Sequence, residues 1–271
     1  MKYLFLVSFA LFFLASCEEK TVAIPQLEIG ERKILVEELT GVRCLNCPNG
    51  AAQLQELAET LGDKLIVVGL HATVPTLIEP YAESKYDFRT PDGRAIADYI
   101  YVNGDPGAPA ASIDREMLAN QTEIFINMPW KGAINARAAV SPNLGLFLDK
   151  TYNASTRSLD VKVSVSPDEI LKGEIRLSVY ITEDSIVDVQ QKGLVRVYDY
   201  IHRHVFRDAL SAPTGDNITA EIGAREAFSK TYTVTLPAEW NADHCSIVAF
   251  VHKHGDFSNR QVLQAEEVHL K

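Results

Sequence analysis

The stretch EELTGVRCLNCPNG, residues 37–50, sets Cys44 and Cys47 three positions apart with Pro48 directly behind them. Before it, KILVEEL (33–39) is a short β-prone run. After it, PNGAAQLQELAETLG (48–62) spaces Ala52, Leu54, Leu57, Ala58 and Leu61 on one helical face and closes on Gly62. DKLIVVGLHA (63–72) is a continuous apolar run of the kind that fills a buried parallel strand. Residues 33–72 therefore predict a β-α-β unit whose first turn carries both cysteines. A cysteine at the start of a helix lies in the positive end of the helix dipole, which favours thiolate over thiol. Pro48 suits the same position, where a missing N–H costs little. Such a pair can cycle as a dithiol, stay closed as a static disulfide, or supply half of a metal site. A closed zinc site needs four ligands, and the chain has no second C-x-x-C.

Outward from this unit, PDGRAIADYIYVNG (91–104) has a helical pattern, and GDPGAPAASID (104–114) reads as a Pro/Gly turn leading into a short strand. QTEIFINMPWKGAINARAAV (121–140) predicts a closing helix, kinked or broken at Pro129. The period then changes. LDVKVSVS (159–166) alternates Leu159, Val161, Val163 and Val165 with polar residues, an amphipathic strand with one wet face. Segments 174–184, 230–236, 245–253 and 261–270 behave similarly, which is the signature of an antiparallel β-sandwich. The boundary is expected near 140–145. The fold class is thus an α/β domain over 32–139 followed by an all-β, immunoglobulin-like sandwich over 140–271.

The other end of the chain reads MKYLFLVSFALFFLASCEEK (1–20), a minimal basic start and a short apolar run ending in small residues. Leu14-Ala15-Ser16-Cys17 resembles the bacterial lipobox. Residues 1–16 are accordingly expected to be a signal peptide, Cys17 the lipidated residue, and 17–31 a polar tether. Attachment through that lipid makes the membrane the first expected partner. Disulfides are permitted in such a compartment. Cys245, inside an apolar strand, is expected to be a buried, inert thiol. A net charge of -10 and a pI near 5.2 make nucleic acid a poor partner. No G-x-S-x-G, Walker loop or dinucleotide fingerprint is present, and no cofactor is expected. The pairs His202/His204 and His252/His254, spaced by two, would share a strand face and could chelate a metal if their strands met, although strand histidines more often pack or stay solvated.

The 33–72 unit with its C-x-x-C-P turn resembles a thioredoxin-fold domain. The resemblance implies Cys44 as nucleophile, Cys47 as resolving thiol, Glu38 (six residues ahead of Cys44, with Glu37 beside it) as the buried acid that moves protons for Cys47, and Pro109 as the cis-proline that holds substrate backbone. Arg43 replaces the family's usual tryptophan and is expected to stabilise the Cys44 thiolate. More narrowly, the lipobox, VEELTGVRCLNCPNGA (36–51), YDYIHRHVFRDAL (198–210) with TGDNI (214–218), and IVAFVHKHGDFSNRQVLQAEEVHL (247–270) resemble the outer membrane protein twenty-eight-related lipoproteins. That resemblance implies a lipid-anchored outer-membrane protein with a thioredoxin-like domain and a C-terminal β-sandwich. The thioredoxin-like unit implies thiol–disulfide exchange on envelope proteins, whereas the narrower family resemblance implies a non-enzymatic adhesin or peptide receptor whose partner is an envelope or extracellular protein or peptide. An assembly role in an envelope complex is the third expectation.

Overall fold

The computed structural model describes residues 29–117, 125–218, 221–256 and 258–271. The expected signal peptide (1–16) and Cys17 lie outside the described residues. Strands β1 (Ile34–Leu39) and β2 (Leu65–Leu70) pair in parallel, Ile34 opposite Leu65 through Leu39 opposite Leu70, joined by helix α1 (Cys47–Leu61). A one-turn helix α2 (Pro75–Ile78) and helix α3 (Pro91–Ile100) follow. Thr90 caps α3 by accepting the Gly93 amide at 2.9 Å, with Pro91 in the first turn. Strand β3 (Ala110–Ile113) runs antiparallel to β1, and β4 (Phe125–Asn127) antiparallel to β3. Helix α4 (Lys131–Ala138) closes this half.

The expected helix over 121–140 is thus only half right. Phe125–Asn127 pairs on the sheet edge, and the cis Met128–Pro129 bond separates it from α4. Proline has no N–H to give a helix, and the residue before it is pushed to extended backbone, so the Phe-Ile segment takes the pairing that remains open to it.

Residues 144–269 supply strands β5 (Leu144–Asn153), β6 (Ser158–Pro167), β7 (Leu171–Lys172), β8 (Ile175–Glu183), β9 (Ile186–Lys192), β10 (Val195–His202), β11 (Val205–Ala209), β12 (Asp216–Asn217), β13 (Glu221–Ile222), β14 (Phe228–Thr235), β15 (Cys245–Lys253) and β16 (Val262–His269). A three-stranded antiparallel sheet, β14-β6-β5, shares one core with β8 and β15. The alternation in 159–166 does what it promises: Leu159, Val161, Val163 and Val165 are fully buried, while Asp160 and Lys162 are exposed.

The large sheet does not stop near residue 140. Its order is β16-β15-β8-β11-β2-β1-β3-β4, so strands from both halves form one mixed sheet. The seam is narrow. Val205 of β11 pairs with Gly69 of β2, and the Gly69 amide donates to the His204 carbonyl at 2.7 Å. Around the seam, Leu35, Val68 and Ile96 pack in one cluster with Tyr180, Phe206 and Phe250. The buried Arg115 guanidinium spans the halves, donating to Glu37 at 2.6 and 2.8 Å and to the Tyr180 hydroxyl at 3.3 Å. The fold is therefore mostly β, and among the described residues the helices fall between 47 and 138.

Candidate functional site

Period-two alternation decides what β1 offers the site. Ile34 and Val36 face α1 and α4, where Leu54, Leu57, Trp130 and Ile134 cover them. Leu35 and Leu39 face α3. Glu37 therefore points to Arg115 on one side of the sheet and Glu38 to α1 on the other. The two adjacent acids end in opposite environments. Glu37 is paired twice by Arg115, whereas Glu38 Oε1 is buried with no hydrogen-bond partner. Burial alone pushes the Glu38 carboxyl up to about 8, so it is protonated at neutral pH.

Cys44 and Cys47 are joined by a disulfide. Helix α1 begins at Cys47, so Cys44 precedes the helix rather than sitting in its first turn. The Cys47 amide still reaches the Cys44 sulfur, 3.1 Å away, and places the helix N-terminus against it. Arg43 does not make that contact. Its guanidinium donates to the Glu79 and Pro80 carbonyls at 2.6 and 2.7 Å and lies over the Tyr81 ring.

Both cysteines are nearly closed off, Cys44 at 1 % and Cys47 at 2 % exposure. The wall on one side is the β9–β10 hairpin. Gln190 Nε2 donates to the Gly41 and Cys44 carbonyls, each at 3.1 Å, the Gln191 amide to Val42 O at 2.8 Å, and the Gly193 amide to Leu45 O at 2.9 Å. A groove of about 480 Å3 lies between Asn46 and Asn49 on one bank and Pro106–Pro109 with Met128 on the other. The Ala108–Pro109 bond is cis. Glycine makes this packing possible: a Cβ on Gly50 would lie 2.9 Å from the Trp130 ring, 3.1 Å from Glu38 Oε1 and 3.2 Å from Pro109 Cβ. Gly41 is held as tightly, its would-be Cβ 2.3 Å from the Leu77 carbonyl. Neither glycine stood out in the sequence; Gly50, inside a helical pattern, carried the one available signal.

A chamber of about 30 Å3 behind Cys47 is lined by Glu38, Thr40, His71, Gln190, Tyr200 and His202, among others. Both nitrogens of His71 are buried without a partner, and burial lowers its pKa to about 3. His202 Nε2 donates to Val189 O, 3.3 Å away, and burial lowers its pKa to about 4. The two imidazoles flank Phe88, each with its ring centre 4.8 Å from the phenyl.

The expected histidine pairing does not form. His202 ends β10, and His204 follows with a φ of 52°, so the two do not share a strand face. His252 bonds to Ser178 and the Lys253 carbonyl, while His254 stacks on Tyr99. Among the described residues, no contact joins one pair to the other. Cys245 is fully buried, and burial drives its thiol up to about 12.

The family model for outer membrane protein Omp28 matches residues 95–271. The chain belongs to the Omp28 family. Membership places it at the outer membrane. No helix among the described residues is long and apolar enough to cross a membrane. HBP35 of Porphyromonas gingivalis has a similar structure, with a TM-score of 0.71 at 20% identity over 89% of this chain and 76% of that one. A structural-genomics protein from Agrobacterium tumefaciens follows at a TM-score of 0.56 and 9% identity, over 90% of this chain and 97% of that one. A domain of the outer membrane lipoprotein Omp28 from Porphyromonas gingivalis matches at 20% identity over 47% of this chain and 87% of that one, with a TM-score of 0.33. No curated protein matches the chain.

Proposed function

We propose that this Omp28-family protein carries out thiol–disulfide exchange on envelope proteins, through a thioredoxin-like unit over 32–139 anchored by lipid on Cys17. The sandwich over 140–271 then binds or positions. Cys44 is the nucleophile, Cys47 the resolving thiol, Glu38 the proton carrier, and Pro109 the residue that lines the substrate groove. The observation that carries the reading is Glu38: a buried carboxyl whose Oε1 has no partner and which lines a chamber with Cys47. A group held so far from its ordinary pKa costs stability, and a static disulfide has no use for it. Exchange proceeds by attack of a thiolate on a disulfide sulfur and release of the other sulfur as thiolate.

A second reading follows from the burial of both sulfurs together with Leu194, 98 % exposed, at the hairpin tip. It makes the pair a structural staple in a non-enzymatic adhesin or peptide receptor. Equilibrating the intact protein across a redox buffer series, with alkylation and mass spectrometry, decides between them. A reduction potential between roughly -120 and -270 mV fits a working dithiol, and one below about -300 mV a structural disulfide. Replacing Cys44 and Cys47 by serine abolishes function under the first reading and leaves binding intact under the second.

A further inference from the structure

The β9–β10 hairpin is a ribbon of its own: among the described residues its two strands pair with each other and with no third strand. It leaves the large sheet and returns to it through two left-handed residues, Ser185 with a φ of 59° and His204 with a φ of 52°. Its base is fixed, because the buried Asp188 carboxylate accepts the Lys85 and Tyr86 amides at 3.0 and 2.9 Å. A bulge between Val197 and Tyr200 sets the tip off from that base. The tip is not seated on a packed core. A cavity of about 600 Å3 is lined by Lys192, Val197 and Tyr200 of the hairpin and by Ala51, Gln55 and Glu59 of α1. Isolated two-stranded ribbons are marginal in water, so contacts elsewhere must hold this one in place.

Those contacts converge on the dithiol loop. Among the described residues, every hydrogen bond or ion pair that leaves the hairpin from 189–198 ends on 41–45, Tyr81 or Glu83. Gln190 alone donates two, to the Gly41 and Cys44 carbonyls, and the Gln191 and Gly193 amides hold Val42 O and Leu45 O. Beside them the Tyr81 ring lies between two guanidiniums, Arg43 at 4.6 Å and Arg196 at 3.9 Å, and its hydroxyl donates to Gln191 Oε1 at 3.1 Å. Glu83 accepts from Arg196 at 2.9 Å. Arg43, the residue next to Cys44, is thereby tied to β10.

We propose that the hairpin tip, residues 189–198, is a lid on the Cys44–Cys47 disulfide, that this set of contacts is its latch, and that an incoming thiolate reaches Cys44 Sγ when the latch opens. This rests on the thiol–disulfide reading above. Exchange requires access to a disulfide sulfur, and with Cys44 at 1 % and Cys47 at 2 % exposure the latched form withholds it. Gln190 and Tyr81 are positioning residues of the lid. A segment held by a few bonds over a cavity can open locally while the cores of both halves stay folded. The C-terminal half, which contributes the lid, thus regulates a dithiol carried by the N-terminal half.

Two variants loosen the latch from different sides: Gln190→Ala removes both bonds to the dithiol loop, and Tyr81→Leu removes the ring between Arg43 and Arg196. Reduction of the oxidised, intact protein by dithiothreitol, which supplies both electrons and closes to its own cyclic disulfide, is followed by acid quench and alkylation. One hydrogen bond is worth a factor of roughly 2–10 in a local opening equilibrium, so each variant is expected to be reduced at least about fivefold faster than wild type. Hydrogen exchange of the oxidised proteins is read alongside. The Gln191 and Gly193 amides should exchange faster in the variants by a similar factor, while the Val163 amide in β6 keeps its wild-type rate. A gain below about fivefold in either variant, or one in which Val163 accelerates equally, would overturn the lid. The reduction potential keeps the two ideas apart. Faster reduction of the variants with a potential in the structural range leaves the lid standing and removes the redox reading. Unchanged rates with a potential in the working range overturn the lid and leave the redox reading intact.

Discussion

Replacing Glu38 by glutamine tests the electrostatics of the site directly. A free glutamate titrates near 4.5, and Glu38 in the fold near 8. Between those values the folded chain holds a proton that the unfolded chain has released. Stability from this group is therefore fully present below about pH 4.5, falls as pH rises, and is gone above about 8. At 1.36 kcal/mol per tenfold change in proton affinity, the whole span is worth about 5 kcal/mol. Glutamine has the shape of the neutral carboxyl and no titration. Urea unfolding of oxidised wild type and Glu38→Gln at pH 5 and pH 9 gives the difference, and the other titrating groups cancel between the two proteins. The stability of the variant relative to wild type should rise by about 4 kcal/mol from pH 5 to pH 9. A gap that stays constant within about 1 kcal/mol would show that Glu38 is ionised in the fold, and the proton-carrier role would go with it.

Gly50→Ala should cost about 1–3 kcal/mol by overpacking against Trp130 and Pro109, read as a lower urea midpoint. Arg115→Met leaves Glu37 buried without its partner and should destabilise by about 3–5 kcal/mol, whereas the double variant Arg115→Met/Glu37→Leu should recover most of it. Cys245 should resist iodoacetamide in the native protein at pH 8 and react fully in urea; rapid native labelling would contradict its buried placement.

The parts of this fold that were legible in sequence are those whose period is local. The run 63–72 and the helical face from Ala52 to Leu61 give β2 and α1, and the alternation from Leu159 to Val165 gives β6. Of the candidate site residues, Cys44 and Cys47 carry a spacing signal of their own, while Glu38 and Pro109 come only from the resemblance to a thioredoxin-fold domain; the fold brings all four around one helix end. What sequence does not carry is the choice of partner across distance. Nothing in LHA or HRHVF says that Gly69 will meet Val205, or that Gln190 will cap the Cys44 carbonyl from 146 positions away. Such contacts leave no periodic trace, because one bridge or one side chain settles each of them. The spacing of His202 and His204 predicts a shared strand face; the left-handed turn at His204 breaks that face and leaves His202 beside His71 instead.

The first described residues are bolted to the last strand. Arg32 donates to the Leu263 carbonyl and to Val262 O, Lys33 pairs with Glu266, and Gln264 receives the Lys33 amide and donates to Glu31 O. A pull applied ahead of β1 would thus load β16 as well as β1, because residues 31–33 are held by both. The segment ahead of β1 and the last described strand would share that load ahead of the turn that holds the Cys44–Cys47 disulfide.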